Sequence, residues 1–242
     1  LAHRIGIDAK GKKVLILGTG GTSKTAFHAA KALGAGEIYK VSRSGRDGAL
    51  TYNEAAEKHR DAQIIFNTTP AGMFPHFDTQ AIPLEGFDAL EALLDVVYNP
   101  LRTNLVLAAQ VMGAAADGGL YMLAAQAVYA SALFLGREAA TADIERAYGA
   151  VYNSKRNIVL IGMPSCGKSS VGRLLAENTG KEFFDSDGII VERTGMPIAE
   201  FFARQGETAF RTIEHEVLAE LAAKSGAVIA TGGGAVLDAD NV

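Results

Sequence analysis

Residues 162 to 169 read Gly-Met-Pro-Ser-Cys-Gly-Lys-Ser and fill every fixed position of the phosphate-loop pattern G-x-x-x-x-G-K-[ST]. No other stretch constrains the fold as strongly. The pattern works only at a turn from a strand into a helix, where backbone N–H groups and the helix N-terminus converge on an anion. The flanks agree: Ile158 to Ile161 is an apolar run with the pattern of a buried strand, and from Val171 apolar residues recur at helical spacing. Ser165, Cys166, Gly167, Lys168, Ser169 and Ser170 are therefore the expected contacts of a nucleoside triphosphate, ATP or GTP. Lys168 would reach the β- and γ-phosphate oxygens, and the Ser169 hydroxyl would sit on Mg²⁺.

The loop begins about two-thirds of the way along a 242-residue chain, so a second unit is expected before it. The net charge of −4 provides no basic footprint, which argues against nucleic acid or an anionic membrane as partner and leaves small molecules. A single cysteine, Cys166, excludes an internal disulfide and a cysteine-rich zinc site and fits a reducing cytoplasm. The five histidines have no metal-ligand spacing. Because the chain opens on Leu1 rather than Met, it is expected to be a piece of a longer polypeptide.

In the first half, Lys13 to Leu17 reads as a short buried strand, followed by the turn Gly18-Thr19-Gly20-Gly21-Thr22-Ser23 and a helix over Lys24 to Leu33. This matches a dinucleotide-binding fingerprint with Ser23 in place of its third glycine. The next strand, Glu37 to Ser42, ends in Ser42-Arg43-Ser44, where an NAD site would carry an acid that accepts from the ribose 2′-hydroxyl. Arginine there suits the 2′-phosphate of NADP; a solvated basic turn is the alternative. Strands over Gln63 to Asn67 and Leu93 to Val97 lead into the polar segments Asn67–Met73 and Tyr98–Pro100. Helices are expected over Thr103 to Met112, Met122 to Leu135 and Ala142 to Tyr152, with a linker over 153–156. The alternation predicts an α/β chain of two tandem three-layer units, residues 1–152 and 157–242.

Three motifs in the first half carry a resemblance to the cofactor-binding domain of shikimate dehydrogenases: the Gly18 to Ser23 turn, the Asn67 to Met73 segment and Met122-Leu123-Ala124-Ala125-Gln126. The second half resembles shikimate kinases in Phe183-Phe184-Asp185-Ser186-Asp187, in Gly206 to Glu214 and in Gly232-Gly233-Gly234. The resemblance implies a Rossmann-type NADP-binding domain followed by a phosphate-loop kinase domain of the nucleoside-monophosphate-kinase type. It also implies consecutive reactions, reduction of 3-dehydroshikimate by NADPH and phosphorylation of shikimate by ATP with Mg²⁺. By position, Gly18, Thr19, Gly20, Gly21 and Thr22 would hold the pyrophosphate, Ser42, Arg43 and Ser44 the 2′-phosphate, and Val96 with the Tyr121 backbone the nicotinamide. Tyr98 and Gln126 match substrate-contacting positions.

In the second half, Asp185 and Asp187 are two residues apart, so on a strand end their carboxylates would project to one side. The resemblance assigns Asp185 to Mg²⁺ and Asp187 to the acceptor hydroxyl; the alternative is an acidic pair that caps a helix starting near Gly188. Arg211 suits a substrate carboxylate as a bidentate donor, or else pairs with Glu207 and Glu214 on a helix surface. Gly233 is the expected shikimate contact of the glycine run, where a backbone can approach a ligand closely. The dehydrogenase's acid–base Lys and Asp and the kinase's lid match no position here, so the expectation is a fragment truncated at both ends and inactive alone. Enzymes acting on quinate or a gluconate-like acid, and a non-catalytic nucleotide sensor, remain as alternatives.

Overall fold

The computed structural model describes residues 2–241 and falls into two compact units, Leu1–Gly149 and Ala150–Val242. Leu1 and Val242, the outer limits of the expected domains, lie outside the described residues.

In the first unit a short 3-10 helix, Ala2–Ile5, precedes β1 (Lys13–Leu17), α1 (Gly21–Ala32), β2 (Glu37–Val41), α2 (Tyr52–Lys58), β3 (Ile64–Asn67) and β4 (Ala92–Asp95). Then come α3 (Asn104–Val111), β5 (Ala115–Asp117), α4 (Leu120–Phe134) and α5 (Thr141–Lys155), the last running through the point of division. The five strands form one parallel sheet in the order β2-β1-β3-β4-β5. A parallel sheet has both faces covered, so its inner strands are apolar throughout rather than alternating. Leu15, Leu17, Ile65 and Leu93 pack into one core layer, while Val14, Ile16, Ile64, Phe66 and Leu94 pack into the other. The chain leaves β1 for β2 on one side and returns to β3 on the other, and ligands of such sheets bind at that reversal, beyond the carboxyl ends of the strands.

Among the boundaries that differ from the sequence pattern, two have a clear local reason. The first helix begins at Gly21 rather than Lys24, with Gly20 as its N-cap. β4 stops at Asp95 rather than Val97, because the Asp95 carboxylate accepts from the Val97 N–H at 3.0 Å and turns the chain out of the ladder.

The second unit contains β6 (Ile158–Leu160), α6 (Lys168–Thr179), β7 (Glu182–Asp185), α7 (Ser186–Thr194), α8 (Ile198–Ala222) and β8 (Ala227–Ala230), with a parallel sheet in the order β6-β8-β7. Ile190, Phe210, Val217, Leu221 and Ile229 form its core. α8 is interrupted at Gly206 (φ 81°, ψ 172°), and Phe202 and Phe210 from its two parts stack at 4.4 Å. The expectation of a buried strand over Ile158 to Ile161 is corrected: Val159 is 53% and Ile161 62% exposed, since among the described residues β6 is an edge strand paired with β8 alone. Nor are residues 153–155 irregular linker: α5 continues through them. The Lys181 ammonium donates to the carbonyls of Asn153 (2.7 Å), Ser154 (3.1 Å) and Arg156 (2.9 Å), groups that a helix end leaves without partners. Among the described residues no helix is long and apolar enough to cross a membrane.

One close approach fixes the loop after β4. A Cβ on Gly119 would lie 2.1 Å from the Val96 carbonyl oxygen, and the Gly119 N–H donates to the Val97 carbonyl at 2.7 Å. The obstacle is backbone and cannot rotate away. Gly119→Ala is therefore expected to destabilise the first unit by about 3 kcal/mol or more, read as a lowered urea midpoint by circular dichroism. An unchanged midpoint would contradict this packing.

Candidate functional site

All three strands of the second sheet end at one cleft of about 610 Å³. β6 runs into the phosphate loop, whose Gly167 N-caps α6 in a left-handed conformation (φ 89°) with no side-chain cap, so the first N–H groups of a three-turn helix are left for a ligand. Lys168 opens α6 and donates to the loop carbonyls of Gly162 and Met163, both at 2.8 Å. The Ser169 hydroxyl donates to Asp185 Oδ2 at 2.6 Å. Asp185 Oδ1 accepts from the N–H groups of Asp187 (3.2 Å) and Gly188 (3.4 Å). The helix-cap reading of Asp185 is thus realised on Oδ1, while Oδ2 holds the hydroxyl of the phosphate-loop serine.

Asp187 does not share the strand end with Asp185, as the two-residue spacing suggested. β7 stops at Asp185, and Asp187 stands in the first turn of α7. It still lines the cleft. Burial pushes its carboxyl above the ordinary aspartate range, the negative Asp185 and Glu214 add to the rise, and Lys168 opposes it.

The cleft's other polar wall is an ion pair. Arg211 Nη1 donates to Glu214, and Nη2 lies 3.5 Å from Glu207. The helix ion pair weighed for Arg211 is what the structure contains, but Glu214 is only 1% exposed, and both residues face the cleft. Glu214 is the site residue that the sequence named only as a partner. The signal was its place at the end of the Gly206 to Glu214 motif.

Gly232, Gly233 and Gly234 lack room for side chains because other site residues occupy it. A Cβ on Gly232 would meet Glu214 Oε1 at 2.7 Å and Asp187 Oδ1 at 2.8 Å, one on Gly233 would meet Pro164 Cδ at 2.5 Å, and one on Gly234 the Arg211 guanidinium at 2.8 Å. The close approach expected between Gly233 and a ligand is here made with the phosphate loop itself.

In the first unit, Gly18 to Thr22 follow β1 at the chain reversal. Gly20 caps α1 without a side-chain bond, the first turn has no acid, and a Cβ on Gly20 or Gly21 would meet nothing within 4 Å. An open, uncapped helix N-terminus of this kind fits a pyrophosphate. Ser23 is fully buried, its hydroxyl donating to the Gly20 carbonyl at 2.6 Å, which is how serine serves at the third glycine position. Ser42 accepts from the Gly45 N–H at 3.1 Å, shaping the turn that presents Arg43 and Ser44 to solvent. Val96 packs against Gly119, two residues before Tyr121, whose ring lies under Arg4 at 4.7 Å. Tyr98 and Gln126 are exposed.

The sequence reading missed Asp95, which has no exposed surface. Oδ1 accepts from Asn67 Nδ2 (2.9 Å) and the Val97 N–H, and Oδ2 accepts from the Thr103 hydroxyl (2.6 Å). A lone acid at the end of an apolar strand gave no sign of partners 28 residues upstream and eight downstream.

Residues 164–242 match the family model for shikimate kinase. A shikimate kinase of Moorella thermoacetica is 55% identical over 86 residues, which make up 36% of this chain and 50% of that protein. The chain spans about half the length of the curated relatives it matches. Solved structures similar to this chain include shikimate dehydrogenase 1 of Peptoclostridium difficile (TM-score 0.56, 28% identity), with 62% of this chain and 58% of that one covered. Another is the shikimate 5-dehydrogenase of Thermus thermophilus, solved with NADP(H) and shikimate (TM-score 0.52, 27% identity), again with 62% and 58% covered. The covered share of this chain is the size of the first unit, 149 of 242 residues.

Within the segment that matches this model, the clustered acids carry a stability cost. A carboxyl whose folded pKa is raised holds its proton more tightly in the native state, so native stability falls as pH rises from the ordinary aspartate range through the raised value. Asp187→Asn is therefore expected to match the parent at acidic pH and to exceed it by about 1 kcal/mol near neutrality, in the usual range for relieving an unfavourable site charge. Urea midpoints measured across pH check this; a parent that gains on Asp187→Asn as pH rises would contradict it.

Proposed function

We propose that this chain is part of a bifunctional enzyme of the shikimate pathway that reduces 3-dehydroshikimate with NADPH and phosphorylates shikimate with MgATP. On this reading residues 1–152 form the NADP module and 157–242 the kinase module, and the enzyme works in the cytoplasm. The observation that carries it is the convergence of Lys168, Ser169, Asp185, Asp187, Arg211 and Glu214 on one cleft. The family match of residues 164–242 and the dehydrogenase-like structures support it.

The residues fit the groups they would hold. Ser165 to Ser170 would hold the nucleotide phosphates on the N-terminus of α6, with Lys168 exchanging its loop carbonyls for phosphate oxygens. The Ser169 hydroxyl and the Asp185 carboxylate are adjacent oxygen donors, and no cluster of three or more His, Cys, Asp or Glu suited to a metal occurs among the described residues. That pair is what Mg²⁺ shared with a nucleotide uses, since the ion takes one or two carboxylates and completes its shell with phosphate and water. When bound, the ion would neutralise charge on the transferring phosphoryl group. Asp187, with its raised pKa, would accept the proton of the acceptor hydroxyl. Arg211 would hold the acceptor carboxylate with the N–H groups that Glu214 leaves free, while buried Glu214 fixes its direction, and Gly233 would lie against the acceptor ring.

In the NADP module, Gly18 to Thr22 would bind the pyrophosphate, and Ser42, Arg43 and Ser44 the 2′-phosphate. Val96 and the Tyr121 backbone would bind the nicotinamide, and Tyr98 and Gln126 the dehydroshikimate. Arg43 is exposed at the end of β2, free to form such a pair. Arg43→Ala is expected to cost NADPH about 1.5–3 kcal/mol, tens-fold or more in affinity, and NADH little. Calorimetric titration of both cofactors checks it, and equal affinities in the parent would overturn the NADP assignment.

Cys166 tests the nucleotide site. It is exposed, and its Sγ lies 3.9 Å from Lys168 Nζ. MgATP is expected to slow alkylation of Cys166 at least about tenfold when saturating, since a bound phosphate chain would cover the loop. Mass spectrometry of alkylated protein with and without MgATP reads the effect; no protection would remove the nucleotide from this loop.

A further inference from the structure

The buried carboxylate of Asp95 joins three segments that meet at the carboxyl edge of the first sheet. Its donors sit on different parts of the chain: Asn67 at the end of β3, Val97 in the loop after β4, and Thr103 at the N-cap of α3. All three donors are neutral. Burial alone pushes this carboxyl upward, and the hydrogen bonds from Thr103, Val97 and Asn67 pull it back. Such an arrangement is expensive as a means of holding a core together, where an apolar side chain at the end of a buried strand would serve as well.

The bonds continue outward from Asp95 toward the surface on which a ligand would lie. With Nδ2 committed to Asp95, Asn67 turns Oδ1 to accept from the Thr69 N–H (3.0 Å) and the Thr69 hydroxyl (2.7 Å), which shapes the start of the Asn67–Met73 segment. Thr103 both donates to Asp95 and accepts from the Val106 N–H at 3.3 Å, starting α3. The two loops are tied again where the Phe74 N–H donates to the Asn99 carbonyl at 3.0 Å. Val96 lies between two residues of the network, with its carbonyl against Gly119. Gly18 to Thr22 and Ser42 to Ser44, which would bind the rest of a dinucleotide, make no hydrogen bond to Asp95.

We propose that Asp95 is a positioning residue for the nicotinamide half of the dinucleotide, holding the Val96–Tyr98 loop and the Asn67–Gly72 segment in mutual register through Asn67 and Thr103. This rests on reading the first unit as an NADP module. It assigns to the buried acid a role at one end of the ligand and none at the other, which a general contribution to stability would not do.

Thr103 offers the least invasive test, because Thr103→Val removes one arm at nearly constant volume and Thr103→Ser keeps it. The probes are NADPH and adenosine 2′,5′-bisphosphate, which lacks the nicotinamide half, each titrated calorimetrically onto the full chain. Thr103→Val is expected to weaken NADPH about tenfold, as losing one hydrogen bond to a buried charge does, while the bisphosphate changes less than about twofold. Thr103→Ser should retain parental affinity for both. Asp95→Asn, if it folds, should show the same selective loss in larger degree. An equal loss of both ligands in Thr103→Val would make the network merely structural and overturn the proposal, as would an unchanged NADPH affinity. A parent that binds the bisphosphate but binds NADPH no more tightly would overturn it while leaving the adenosine site in place. A parent that binds neither would overturn the NADP reading, and the inference with it.

Discussion

The carboxyl end of a parallel strand followed at once by a helix is the arrangement on which both candidate sites depend. A helix leaves its first N–H groups without partners inside itself, and in α1 and α6 a glycine stands at the N-cap instead of a side chain that would satisfy them. Each helix therefore begins with an unspent donor set, and the sheet orders β2-β1-β3-β4-β5 and β6-β8-β7 bring the other strand ends beside it. In the second unit this gathers the phosphate loop, Asp185 and the glycine run from β6, β7 and β8 around one cleft. In the first it places the Gly18–Thr22 turn beside Thr68, whose N–H (2.9 Å) and hydroxyl (2.6 Å) both donate to the Leu17 carbonyl.

Charge in the kinase-like cleft is handled by pairing where a charge is buried and by leaving one charge poorly accommodated. Glu214 is buried but has Arg211 against it, and Asp185 has both a hydroxyl and backbone donors. Asp187 has neither advantage: it faces two acids and is opposed only by Lys168 at a distance. A group so placed holds its proton more readily than an ordinary aspartate, and the same placement costs stability. The tight packing of Gly232, Gly233 and Gly234 against Glu214, Asp187, Pro164 and Arg211 makes these residues one unit. A side chain on any of the three would displace one of these residues rather than fill space.

Much of the fold was legible in the sequence because its signals are local. Strands β1, β2 and β3 and helix α1 follow from apolar runs and a glycine turn, and the phosphate loop follows from a spacing that only one kind of turn accepts. The departures are places where a distant group intervenes. The polar stretch Asn153–Lys155 looked like a linker, yet it is helical because Lys181 reaches its carbonyls from the start of β7. Ile158 to Ile161 looked buried, but burial depends on what packs around a strand, and among the described residues β6 has one strand neighbour.

The sequence by itself determined the two glycine turns between strand and helix, the order of the two units and the local geometry of the loop around Lys168, since each is written in contiguous residues with fixed geometric demands. Tertiary structure alone decided that Asp187 leaves the strand for the first turn of α7, that the room beside Gly233 is taken by Pro164, and that Asp95 joins β3, β4 and α3. The reason is that hydrogen bonding and steric exclusion act at about 3 Å between atoms, whatever number of residues separates them along the chain. A motif fixes what its own backbone can do; the partner that reaches it from 28 or 70 positions away is set by how strands and helices pack.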